Sequence, residues 1–179
     1  MRRYVALLRG MNLGGRRIKN EELRRHFEEM GFEEVATFRA SGNVIFSASG
    51  REAEAKLAER VEAELDERLG YDVPVFLRSI EEVAAIAAQQ PFDGKLVENS
   101  KGKLQVSLLK KKPSAAAKKK ALALATDEDL LAIKGRELYW LPGGGISESD
   151  LDLKAIDKAL GPGTIRTMGT IEQIASKYQ

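Results

Sequence analysis

YVALLRGMNLGGRRIKNEEL (residues 4–23) decides how the rest of the chain is read. Residues 4–8 are apolar without interruption and carry no helix cap, the pattern of a strand buried on both faces. The run stops at Arg9, passes the glycines Gly14 and Gly15, and meets Arg16 and Arg17. Asn20 then offers a helix cap, and Glu21 and Glu22 complement the positive end of the helix dipole. Leu23, Phe27 and Met30 recur at helical spacing until Gly31, which predicts a helix over 21–30.

Working outward, segments 35–40 and 43–47 flank Ser41-Gly42 as a hairpin with a two-residue loop. That loop length predicts Arg39 opposite Val44, Phe38 opposite Ile45 and Thr37 opposite Phe46. Phe38 and Ile45 then share one face, and Arg39, Val44 and Phe46 the other. Leu57, Val61, Leu65 and Leu69 form one apolar stripe of a helix over 51–69, stopped by Gly70. Residues 73–77 read as a strand, with Pro74 marking an edge or a start. The order β-α-β-β-α-β is the split β-α-β, ferredoxin-like arrangement.

Ser79 and Glu82 form a capping box for a short helix that Pro91 closes, and the polar stretch FDGKLVENSKG (92–102) reads as a linker. Beyond it come a strand at 103–109 and an alanine-rich helix opened by Ser114. A second hairpin, 129–133 and 137–141, turns at Gly135-Arg136. Ser149 with Asp152 opens a helix ended by the GPG at 161–163. A strand at 164–167 and a last helix capped by Thr170 with Gln173 complete the chain. The expected fold is α+β, two tandem ferredoxin-like halves with mostly antiparallel sheets. Residues 1–78 are the first half, 79–102 a connecting helix and linker, and 103–179 the second half. No long sequence repeat accompanies this reading, which rests on element order.

Composition narrows the function classes. The chain has 179 residues, 43% of them hydrophobic, a charged fraction of 31% and a formal net charge of +2. Nothing in that balance demands nucleic acid or an anionic membrane as partner, so any basic site is local. The absence of cysteine excludes disulfides, thiol catalysis and thiolate metal sites, and makes a cytoplasmic location the expectation. Residues 4–8 are too short for the core of a signal peptide, and no window approaches a membrane span of about 18 apolar residues. No membrane partner is expected, and no feature indicates an oligomeric state.

Chemistry is sought where glycines free backbone amides beside cations. Arg9, Asn12, Gly14, Gly15 and Arg16 follow the first strand and precede the first helix, a setting suited to phosphate or carboxylate. The run is neither Gly-x-Gly-x-x-Gly nor a Walker loop. In a split β-α-β sheet the first strand runs antiparallel to the third, which puts Asn43 near Arg9. Ser41, Gly42 and Asn43 therefore complete a candidate binding set for an anionic ligand. The plain alternative is a turn, with Arg9 paired to a nearby carboxylate.

Gly143, Gly144, Gly145 and Ser147, with Arg166, make a second candidate loop, whose plain reading is a flexible connection. Lys110, Lys111, Lys112, Lys118, Lys119 and Lys120 surround Pro113 and read more readily as a solvated helix face than as a nucleic-acid patch. The hairpin lacks the aromatic spacing of an RNA-stacking sheet, so nucleic acid is the weaker partner class. His26 is the sole histidine and has no companion ligand, so no metal or cofactor is expected. No carboxylate pair or activated nucleophile names a reaction. An enzyme working without metal or cysteine and a protein-interaction or structural module are the alternatives to an anion-binding protein.

Arg9 to Gly15, Arg-Gly-x-Asn-x-Gly-Gly, followed after one helix by Ser41 to Phe46, Ser-Gly-Asn-Val-x-Phe, resembles the bacterial domain-of-unknown-function family 1697 over nearly the whole chain. Near the end that family usually has Thr-x-Arg-Asn-Trp-x-Thr, where this chain carries Thr164, Arg166, Thr167, Met168 and Thr170. The resemblance implies a small cytoplasmic α+β protein and implies no activity.

Overall fold

Tyr4 to Leu8 are between 0% and 1% exposed, and a strand so enclosed needs a partner along each edge for its backbone amides and carbonyls. In the computed structural model, which describes residues 1–11, 17–39 and 42–179, that strand is β1 (Arg2–Leu8). It is followed by α1 (Asn20–Glu29), β2 (Glu33–Thr37), β3 (Asn43–Ala48), α2 (Glu54–Leu69), β4 (Val75–Ser79), α3 (Ile80–Ala87) and α4 (Gly94–Asn99). Then come β5 (Gln105–Leu109), α5 (Ala115–Leu122), β6 (Leu130–Lys134), β7 (Glu137–Leu141), α6 (Leu153–Leu160), β8 (Gly163–Thr167) and α7 (Met168–Tyr178). Among the described residues this makes a mixed α/β fold with two four-stranded antiparallel sheets and seven helices.

The chain divides into two compact units, Met1–Ala84 with Ile174–Gln179, and Ala85–Gln173. In the first the strand order is β2-β3-β1-β4. Tyr4, Ala6, Leu8, Val44, Phe46, Val75 and Leu77 share a core with Leu23 and Phe27 of α1 and Leu57, Val61 and Leu65 of α2. Phe46 centres it, with ring centroids 4.4 Å from Phe32, 5.5 Å from Phe27 and 5.7 Å from Tyr4. The alternate residues Val5, Leu7, Ile45, Phe76 and Arg78 are buried as well, so β1, β3 and β4 are covered on both faces. The chain's last turn returns to this unit: Arg3 Nη1 donates to the Tyr178 carbonyl at 2.7 Å. Arg3 also hydrogen-bonds Glu34, which holds that carboxyl below its usual range.

In the second unit the order β6-β7-β5-β8 repeats the first. The registers coincide too: Leu7 faces Asn43 as Leu108 faces Glu137, and Val5 faces Arg78 as Val106 faces Arg166. Aligned by these pairings, VALLR (5–9) matches VSLLK (106–110), and RSIEEVAAIA (78–87) matches RTMGTIEQIA (166–175). In both halves the fourth strand ends in a hydroxyl that caps the next helix. Glu82 N donates to Ser79 Oγ and Thr170 N to Thr167 Oγ1, each at 3.2 Å. A repeat that is invisible to sequence similarity at fixed spacing is thus plain in the register.

Several local expectations change. Asn20 is not the cap of α1. Lys19 takes that position without a side-chain bond, and Asn20 Nδ2 donates instead to the Arg39 carbonyl at 3.1 Å. Stretch 92–102 is not plain linker, because Asp93 caps α4 by accepting from Lys95 N. Asp152, not Ser149, caps α6, and Thr167 replaces Thr170 as the cap of α7. Ser149 is drawn away by Asp129, which accepts from Ser149 Oγ and from Trp140 Nε1, both at 2.8 Å.

That carboxylate is only 3% exposed and also accepts from Thr126 Oγ1. Removing it strands a buried indole N–H beneath β7, and a hydrogen bond to a charged group contributes about 1.5–3 kcal/mol. Asp129→Ala is expected to lower unfolding free energy in urea by about 2–4 kcal/mol, and Asp129→Asn, which keeps an acceptor, by less. Equal stability of all three proteins would refute the network's role.

Candidate functional site

The end of β1 is held by two backbone hydrogen bonds and one strand pairing. Leu8 N donates to the Gly42 carbonyl at 2.8 Å, Arg9 N donates to the Pro74 carbonyl at 3.1 Å, and Leu7 stands opposite Asn43. Arg9 therefore leaves the sheet between the β2–β3 hairpin and the start of β4. The expected neighbourhood of Arg9 and Asn43 is present as a register: Asn43 lies across from the residue two before Arg9. Asn12, Gly14, Gly15, Arg16 and Ser41 lie outside the described residues.

The hairpin is wider than the two-residue turn expected. Thr37 pairs with Val44 and Ala36 with Ile45, so the loop spans 38–42. Arg39 adopts a left-handed φ of 58°, and Asn43 closes the loop from both directions. Its carbonyl accepts from Phe38 N at 3.0 Å, while its Nδ2 donates to the Phe38 carbonyl at 2.9 Å. A shift of two residues changes partners and keeps faces: Val44 and Phe46 share one face, as expected, and that face is the helix-packed core. Arg39 instead lies over the Phe38 ring, with Cζ 5.5 Å from its centroid.

Asn43 is 1% exposed, so it holds the loop rather than presenting its amide to solvent. Arg9 and Arg39 are less buried than Asn43, and Arg17 is exposed. The chemistry available at this corner is guanidinium: planar, permanently charged, and able to bind a carboxylate or phosphate through two parallel N–H donors. Met11 plugs the base of the corner at 4% exposure, packed in the same core as Leu8.

The second candidate loop has a different character. Gly143, Gly144 and Gly145 lead from β7 into a single 3-10 turn, Ile146–Glu148, and the nearest side chain to a Cβ placed at Gly144 or Gly145 is the Glu148 carboxylate. Gly143 lies against Glu128, and Ser147 is exposed beside Glu148. Arg166 does not join them. Its Nη1 donates to Thr164 Oγ1 at 2.8 Å and to the Ile165 carbonyl at 2.9 Å, within its own strand. Burial lowers its pKa to about 10. An anion at Gly144 or Gly145 would meet the Glu148 carboxylate, whereas the β1 corner carries guanidinium groups.

Among the described residues no group of three or more His, Cys, Asp or Glu could hold a metal ion. A cleft of about 290 Å³ was not foreseen from the sequence; Tyr4, Phe32, Glu52 and Arg60 line it. Arg60 is already committed there, paired with Glu52 at 3.0 Å and stacked 5.1 Å over Phe32.

Gly42 makes the corner testable. It has a φ of +82°, and a Cβ there would lie 3.0 Å from Met11 Cγ and 3.1 Å from Leu8 Cβ. The left-handed backbone alone costs a non-glycine residue about 1–2 kcal/mol. Gly42→Ala is expected to destabilise the protein by at least that much in chemical denaturation, and an unchanged midpoint would refute the tight corner.

The family model described as "Protein of unknown function (DUF1697)" matches residues 1–139. No curated protein matches the chain. The solved structure of the conserved bacterial protein SP0830 from Streptococcus pneumoniae is similar, with a TM-score of 0.76 and 21% identity over 98% of this chain and 97% of that one. At that identity the likeness shows a shared fold.

Proposed function

Because this chain belongs to the DUF1697 family, whose description assigns no activity, we propose its function from the β1 corner: it binds a small anionic ligand, phosphate- or carboxylate-bearing. The observation that carries the reading is the triple anchoring of that corner, Leu8 to Gly42, Arg9 to Pro74 and Asn43 to Phe38. It fixes the backbone from which Arg9 departs. A guanidinium on an ordered backbone loses less freedom when it clamps an anion than one on a free loop. Arg9 is the described cation of this proposed site, Gly42 and Asn43 shape the corner around it, and Asn12, Gly14, Gly15, Arg16 and Ser41 are assigned to the rest.

The strand order and antiparallel pairings of each sheet support a ferredoxin-like assignment for both halves, 1–78 and 103–179, joined by 79–102. The absence of cysteine supports a cytoplasmic location. Among the described residues, no helix is long and apolar enough to cross a membrane.

The test is thermal shift with mononucleotides, phosphosugars and small dicarboxylates against the wild type and Arg9→Ala. A ligand present at one hundred times its dissociation constant stabilises the native state by about 2.7 kcal/mol. A shift that Arg9→Ala abolishes is the expected outcome. Silence from every compound, or an equal shift in the variant, overturns the proposal.

A further inference from the structure

The register that aligns the two halves also locates, in the second unit, the corner equivalent to Arg9 and Gly42. There Leu109 N donates to the Arg136 carbonyl at 2.9 Å, as Leu8 N donates to that of Gly42. Lys110 occupies the place of Arg9, and Arg136 that of Gly42. Three segments meet at this end of the sheet: the β5–α5 connection with Lys110, Lys111 and Lys112, the β6–β7 turn with Lys134 and Arg136, and the last turn of α6 with Lys158. Glu137 and Asp157 are the carboxylates of the same segments, leaving an excess of four positive charges.

The opposite end of the same sheet is acidic. The loops 123–129 and 142–152 bring Asp127, Glu128, Asp129, Glu148, Asp150 and Asp152, with Lys101, Lys103 and Lys154 as the neighbouring cations. Charge in this unit is therefore sorted to two ends. A chain net charge of +2 conceals the separation. Ser114 also directs the N-terminus of α5 toward the basic end.

We propose that this basic end of the second unit docks the phosphodiester backbone of a nucleic acid, without reading its bases. The cations stand on segments attached to all four strands. At about 4.8 Å between neighbouring strands, the array is some 14 Å wide, enough to face several successive phosphates and too wide for one. Lys111, Lys112 and Lys134 are exposed. Among the described residues, the exposed large apolar ones, Met1, Leu96, Ile146, Leu153 and Ile165, include none from these three segments. The end thus offers no apolar wedge for lipid and no aromatic platform for bases, only phosphate contacts. This reading uses residues separate from Arg9 and stands whichever way the small-ligand test falls.

The experiment measures anisotropy of a labelled 20-nucleotide single-stranded DNA, and RNA of the same sequence, against the full-length protein from 20 to 200 mM salt. The variant is Lys111→Gln, Lys112→Gln and Lys134→Gln together. The control, Lys119→Gln, Lys120→Gln and Lys154→Gln, removes the same charge elsewhere on the unit. With four contacts, affinity in the wild type should fall roughly 50-fold between 50 and 200 mM salt. The variant should bind at least tenfold more weakly at low salt with a salt slope shallower by about two, while the control stays within threefold and DNA and RNA bind alike. Equal weakening of variant and control, absence of binding at 20 mM salt, strong dependence on base sequence, or binding to phosphatidylserine vesicles but not to oligonucleotide would each overturn the proposal.

Discussion

A strand enclosed on both faces and paired on both edges is the constraint from which the rest of this molecule follows. Val5, Ala6 and Leu7 are 0% exposed, and a buried backbone group left without a partner costs about 1–3 kcal/mol. Neighbours must therefore run along both edges of β1, and β3 and β4 do so antiparallel. Once those edges are filled, β2 must take the place outside β3. The helices that connect the strands cover one face through Phe27, Leu57, Val61 and Leu65. The same logic repeats around β5, where Val106 and Leu108 are equally enclosed.

Enclosure also explains what the two halves share and where they diverge. Several buried positions keep their chemistry, Val5 with Val106, Leu7 with Leu108 and Leu8 with Leu109, while the buried Tyr4 and Ala6 give way to Gln105 and Ser107. Even the buried cation persists, Arg78 at 1% exposure and Arg166 at 7%, each followed by a hydroxyl that caps a helix. An arginine tolerates such burial when its donors meet carbonyl oxygens, and both do: Arg78 Nη1 reaches the Leu77 carbonyl at 2.9 Å, as Arg166 reaches that of Ile165. At the strand ends the halves part. Gly42 on one side corresponds to Arg136 on the other.

How much of this was legible in the sequence depended on whether a signal was local. Element order was legible because periodicity and caps are local: the Ser79–Glu82 box and the Ser114 cap are where the spacing placed them. Hairpin register was not, because the β2–β3 loop length depends on Arg39 accepting a left-handed φ and on Asn43 bonding Phe38, neither of which residue type dictates. The Gly135-Arg136 turn, with Lys134 facing Glu137, followed the two-residue rule. Helix starts failed where a tertiary partner competed for the cap: Arg39 took Asn20 and Asp129 took Ser149. Arg9's place beside the hairpin followed from topology alone, whereas the acidity around Gly143 needed the fold, since Glu128 and Gly143 are 15 positions apart.

Both sheets bury residues on each face of their central strands, so the proposed anion sites fall at strand ends and their loops, where the signs of neighbouring charges matter. Two unit charges 4 Å apart interact by about 1 kcal/mol in water and by about 4 kcal/mol where the effective dielectric is near 20. The Glu148 carboxylate beside Gly144 and Gly145 therefore opposes an anion there. At the β1 corner the Leu8 and Arg9 amides pair with the Gly42 and Pro74 carbonyls, and at its counterpart the Leu109 amide pairs with Arg136, while Arg9 and Lys110 place a cation at each. Glycine marks a candidate anion site only when the fold does not place carboxylates around it, and in this chain the arginines and lysines at the ends of the central strands are the stronger signal.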